Sequence, residues 1–179
     1  MPTRPIAFTL AAALALAVLP AAARGQAAPK AEWRSARWGM TIDEVLKAFP
    51  GEAKRLETPL RLADGNVVAA GIDRHVLAGT AFRVRFVFDS SGGLALVSLR
   101  TPESDYAKPE AIEAVEKALA DRLGPPTWSG TSSEFVDMRQ TTWKGPSGRV
   151  DVKWIPGVIV VMHAAPSQQP PVAAPVPKD

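Results

Sequence analysis

Phe82-Arg83-Val84-Arg85-Phe86-Val87-Phe88-Asp89-Ser90-Ser91-Gly92-Gly93-Leu94-Ala95-Leu96-Val97-Ser98-Leu99 reads as a strand, a tight turn and a second strand. Phe82, Val84, Phe86 and Phe88 alternate with Arg83, Arg85 and Val87. A two-residue period puts these sets on opposite faces of a sheet, one able to bury and one carrying two arginines. Asp89 through Gly93 supplies hairpin turn chemistry. The spacing predicts strands over Ala81–Asp89 and Gly93–Thr101, preceded by one over Asn66–Leu77.

A second set follows the same plan, with strands expected over Ser133–Trp143, Gly148–Ile155 and Gly157–His163. Lys144 to Gly148 forms one turn. Pro156-Gly157 forms the other, with proline presetting φ and glycine free to take positive φ. Val158-Ile159-Val160-Val161-Met162 does not alternate, which marks a strand buried on both faces or central in its sheet.

A helix precedes each set. Thr41-Ile42-Asp43-Glu44 is a capping box, in which the Thr41 hydroxyl takes the Glu44 amide and the Glu44 carboxylate takes the Thr41 amide. Ile42, Val45, Leu46 and Phe49 form its apolar face, and Pro50-Gly51 stops it. The second helix opens at Pro109, a favoured first helical residue. It carries Ile112, Val115, Leu119 and Leu123 on one stripe and ends at Gly124-Pro125-Pro126. The expected fold class is therefore α+β: two units of one helix plus three antiparallel strands, helices packed on one face of the sheet. Residues 36–163 form one domain, with halves at about 36–103 and 104–163. A core of about 135 residues buries roughly two-thirds of its unfolded surface.

The two ends read differently. Arg4 followed by the uncharged run Ile6 to Leu19 and then Pro20 and small residues reads as a secretory signal. The run is short for a membrane span of ~20 residues. Cleavage fits after Ala23 or after Ala27, with Ala27 preferred, so residues 1–27 are assigned to the signal and 28–35 to a flexible lead-in. Residues 164–179 hold five prolines and no aromatic, a composition that favours an unpacked tail. The expected location is the periplasm or the cell exterior.

This division changes the meaning of the charge. The whole chain carries 21 Lys+Arg and 18 Asp+Glu, with a pI near 9.4. Arg4 and Arg24 belong to the signal, and residues 31–165 come out formally neutral. Nucleic acid is therefore not an expected partner, because the phosphate-neutralising surplus is missing. The chain has no cysteine, which excludes disulfides, thiolate metal sites, a cysteine nucleophile and a lipoprotein anchor.

Arg37-Trp38-Gly39-Met40-Thr41, with Glu44 and Val45 following, resembles the opening of small exported bacterial domains of unknown function. The Phe82–Asp89 strand, the Gly-Gly hairpin, Leu94, Val97 and Leu99, and the helix end Leu123-Gly124-Pro125-Pro126 continue that likeness over about residues 36–163. The helix-plus-sheet repeat is also similar to the β-lactamase-inhibitor protein and outer-membrane-assembly lipoprotein folds. That resemblance implies protein binding through the sheet and its loops. The chain departs from both in lacking the lipobox cysteine and the inhibitor's disulfides, and no catalytic residue carries over.

No catalytic constellation is legible. Ser90, Ser91 and Ser147 lie on turns without a G-x-S-x-G elbow, and no phosphate-binding glycine loop occurs. His75 and His163 are the only histidines. With Asp73 beside His75 on one strand face, an envelope hydrolase or metal-dependent enzyme using His75 and His163 is the alternative reading, and an export product without a specific ligand is a third. The leading expectation is a non-enzymatic binding module with no cofactor and no metal. Its contact residues are Arg83, Arg85, Asp151, Lys153 and Trp143 on a polar sheet face, and its partner is an envelope protein or a glycan. The plainer reading of the same residues is a solvated face with the tryptophans in the core.

Overall fold

The computed structural model describes residues 33–132 and 138–168. The expected signal, most of the lead-in and of the proline-rich tail, and positions 133–137 of one expected strand lie outside the described residues. In chain order the elements are α1 (Ile42–Ala48), β1 (Lys54–Arg61), β2 (Val67–Leu77), β3 (Thr80–Phe88), β4 (Leu94–Arg100), α2 (Pro109–Leu123), β5 (Trp128–Ser132), β6 (Met138–Gly145), β7 (Gly148–Ile155) and β8 (Val158–Ala164). A short 3-10 turn, Pro166–Gln168, ends the described chain. No helix among the described residues is long and apolar enough to cross a membrane.

All eight strands join one antiparallel sheet in the order β1-β2-β3-β4-β8-β7-β6-β5. The fold is α+β, but each helix is followed by four strands, not the three expected. The additional strands are the two edges. β1 is exposed at nearly every position and shifts register between Arg55 and Leu60, around Pro59, which cannot donate to a ladder. β5 is Trp128 followed by four small or polar residues. An edge strand needs only one neighbour's hydrogen bonds and little burial, so neither segment carries an apolar alternation. The non-alternating β8 is central, paired to β4 on one side and β7 on the other.

Register fixes which side chains share a face. Ile72, Val84, Leu99, Val161, Val152 and Thr141 stand opposite one another from β2 to β6. The neighbouring row on that face runs Ala70, Phe86, Val97, His163, Val150, Trp143. Both helices lie over these rows. Phe49, the residue that ends α1, packs its ring 5.5 Å from Phe86. On α2, Glu116 accepts the Thr141 hydroxyl at 2.6 Å, and the α2 end residue Gly124 takes the Trp143 indole N–H at 3.0 Å. Val45, Ile112, Val115 and Leu119 are buried in the same cluster.

The segment before α1 straps one end of this layer. Trp33, assigned above to the lead-in, is 3% exposed and meets Phe49 and Phe86 ring to ring. Trp38 Nε1 donates to the Ser147 carbonyl at 2.5 Å, across to the β6–β7 turn. Gly39 and Met40 exchange backbone hydrogen bonds with Leu94. The capping box forms as the sequence demands: the Thr41 amide donates to the Glu44 carboxylate at 2.8 Å and the Thr41 hydroxyl accepts the Glu44 amide at 3.4 Å. The Thr41 amide, above all, holds the Glu44 carboxyl below its ordinary range. The β7–β8 turn places Gly157 at φ 87°, where a Cβ would also run into the Tyr106 ring.

Candidate functional site: the open sheet face

The sheet's other face has neither helix on it. Three rows of opposed residues cross it. The first reads Val87, Leu96, Ala164, Arg149, Lys144 from β3 to β6. The second reads Arg85, Ser98, Met162, Asp151, Thr142, Trp128 and reaches β5. The third reads Arg83, Arg100, Val160, Lys153, Gln140. Arg83, Arg85, Asp151 and Lys153 thus share one face, but in two groups. Three strand spacings separate β3 from β7, about 14 Å.

The β3–β4 group is basic. Arg83 and Arg100 stand directly opposite each other. Arg85 lies over Gly71, where a Cβ would overlap its guanidinium, and Nη1 donates to the Val84 carbonyl at 3.0 Å. Burial, then the charge of Arg83, push the Arg85 guanidinium down from its ordinary value, and Asp73 opposes that shift. Glu103 lies 3.8 Å from Arg100, and Asp73 lies 3.6 Å from Lys54. Among the described residues Arg83 has no carboxylate partner.

The β6–β7 group is a closed polar network beside a free lysine. Asp151 is 6% exposed. It accepts from Thr142 Oγ1 at 2.7 Å, Gln140 Nε2 at 3.2 Å and Arg149 Nε at 2.7 Å to its second oxygen. Burial of this carboxylate is tolerable because each oxygen is answered. Lys153 has no carboxylate partner among the described residues. Between the two groups runs an apolar seam formed by Leu96 on β4 and Val158, Val160 and Met162 on β8, all partly exposed. At the β5 edge Trp128 lies across Gly130 and is 53% exposed.

Trp143 does not belong here. It alternates onto the helix face, is 5% exposed and is tied to Gly124. There it helps line a recess of 360 Å³ between the end of α2 and the β6–β7 turn. The tryptophan of the open face is Trp128. Sequence reading also missed Arg100 and Arg149, which become neighbours of Arg83 and Asp151 only through pairing register. Alternation within β4 and β7 signals their face but not their partners.

His75 and His163 do not form one site. His163 is 1% exposed beneath the helices. His75 sits edge-on to Trp33 at 5.5 Å. Three strand spacings and four residues of strand length separate them, about 19 Å. Among the described residues no three His, Asp or Glu side chains are grouped to hold a metal ion. No family model matches this chain, and no curated protein or solved structure matches it significantly, so the likeness given above rests on the quoted residues alone.

Proposed function

We propose that this chain is an exported, non-enzymatic binding module of the cell envelope, acting in the periplasm or outside the cell, with the open sheet face as its contact surface. One observation carries the reading: pairing register lines up Arg83, Arg85, Arg100, Lys153 and Trp128 on a face that neither helix occupies. Arginine and exposed aromatic side chains are the residue types that dominate contact energies at interfaces. Export is supported by the Ile6–Leu19 run with its flanks. The two halves are read as one helix-plus-sheet unit used twice. The order helix–four strands, helix–four strands, meeting at β4 and β8, supports this.

The test is capture from envelope extract by the tagged mature chain, with Arg83→Glu/Arg85→Glu as the comparison. Loss of a captured component in the double variant is the expected result. Equal capture by a folded double variant removes this face from the proposal. Mass spectrometry of the exported fraction checks the signal: cleavage after Ala27 or Ala23 is expected, and an uncleaved chain retained in the cytoplasm refutes export.

A further inference from the structure

The formal neutrality of the core is not uniform. The helices carry both signs, Asp43, Glu44 and Lys47 on α1 and Glu110, Glu113, Glu116, Lys117, Asp121 and Arg122 on α2, whereas the open face holds more bases than acids. The bases Arg83, Arg85, Arg100, Lys144 and Lys153 lie on the open face, where Arg149 and Asp151 answer each other and Asp73 and Glu103 stand beside the β3–β4 group. Arg83 and Arg100 are directly opposed like charges, an arrangement that costs stability in a bare sheet. An anion laid between them would reverse that cost.

The bases are not spread evenly. They form two margins, Arg83, Arg85 and Arg100 on one side and Lys153, with Lys144 beyond it on β6, on the other, about 14 Å apart across β3 to β7. The seam between them is apolar and follows β8 from Val158 to Ala164, about 20 Å at strand rise. An α-helix with its side chains is ≈ 10–12 Å across, and 20 Å is about four of its turns. Resting on the binding-module reading above, we propose that the open face receives an amphipathic α-helix of a partner protein, its apolar stripe on the β4–β8 seam and its flanking carboxylates on the two basic margins. Helix-in-groove recognition combines these same two elements. A bilayer fits less well, because the seam residues are only partly exposed and lie between charged margins.

The experiment uses the mature chain and a labelled 18-residue helical peptide with leucines at i, i+3, i+4 and i+7 and glutamates flanking them. Comparison peptides replace glutamate by lysine, or keep the composition and break the helix with two prolines. Vesicles containing phosphatidylglycerol form a further arm. The acidic helix is expected to bind. Its affinity is expected to fall about tenfold with Arg83→Glu/Arg85→Glu and to fall separately with Lys153→Glu, each loss shrinking at high salt. Equal binding of the lysine peptide, equal binding of the proline-broken peptide, preference for vesicles, or indifference to both margins each overturns the proposal. If charge-dependent capture from envelope extract survives while every peptide fails, the helix inference falls and the binding-module reading stands. If both fail, both fall.

Discussion

Arg83 and Arg100 face each other across the β3–β4 ladder as a directly opposed cationic pair. Among the described residues the acid paired with them is Glu103, 3.8 Å from Arg100 on an exposed surface. Opposed like charges are unfavourable in antiparallel sheets, so Arg83→Glu is expected to stabilise the free protein by about 0.5 kcal/mol. Urea denaturation measures it. A variant that is more stable and binds less separates the role of this residue in contact from any role in folding; a loss of stability contradicts the pairing.

The strap before α1 rests on Trp38. Trp38→Phe keeps most of the buried ring and removes the Nε1 donor to the Ser147 carbonyl. The expected loss is about 1 kcal/mol, because the Ser147 carbonyl is part-buried and water offsets some of the lost donor. Hydrogen exchange should show the β6–β7 turn opening more readily. An unchanged denaturation midpoint would mean that the bond contributes nothing.

Glu116 joins α2 to β6. It accepts from Thr141 and is paired with Arg139 while almost fully buried. Glu116→Ala leaves the Thr141 hydroxyl only Ser129 Oγ, 3.1 Å away, and leaves Arg139 only Glu113, 4.0 Å away. Because Arg139 is partly exposed, water offsets some of that loss, and about 2 kcal/mol is expected. Thr141→Val is expected to cost less, about 1 kcal/mol. Their order, read from thermal or urea unfolding, is the check.

His75 titrates below its ordinary value, first because it is partly buried and second because the Arg34 charge is close; Glu52 offsets this in part. The unfolded chain therefore takes up a proton before the folded one does as pH falls. Stability from this group is complete above the unfolded histidine range and declines as pH drops through about 6.5. His75→Phe keeps a ring against Trp33 and removes the titration. The difference in unfolding free energy between pH 7.5 and pH 5.5 should shrink in the variant. An undiminished difference assigns that slope elsewhere.

Much of the local structure was legible. Thr41 to Glu44 closes a capping box because the two partners are three residues apart, a purely local condition. Pro109 opens α2 and Gly157 turns the chain with positive φ for reasons internal to each residue. The strands from Val67 to Arg100 and from Gly148 to Ala164 follow alternation or apolar runs. β1 and β5 were not legible, since an edge strand is held by its neighbour's backbone and leaves no apolar pattern of its own. The candidate site was half legible. Arg83 and Arg85 follow from alternation in β3, whereas Trp143 was expected on the polar face and lies under α2.

The sequence by itself determined where elements start and stop, which side of each strand is apolar, and that the folded core is neutral in sum. These depend on residues within a few positions of each other. Only the tertiary structure decided that β4 meets β8, that Trp128 and not Trp143 looks outward, and that Arg83, Arg100 and Lys153 gather on the open sheet face. Those facts depend on backbone pairing between segments as far apart as Arg100 and Val160. The hydrogen bonds that set such pairing are the same for every side chain, so composition and periodicity carry no record of it.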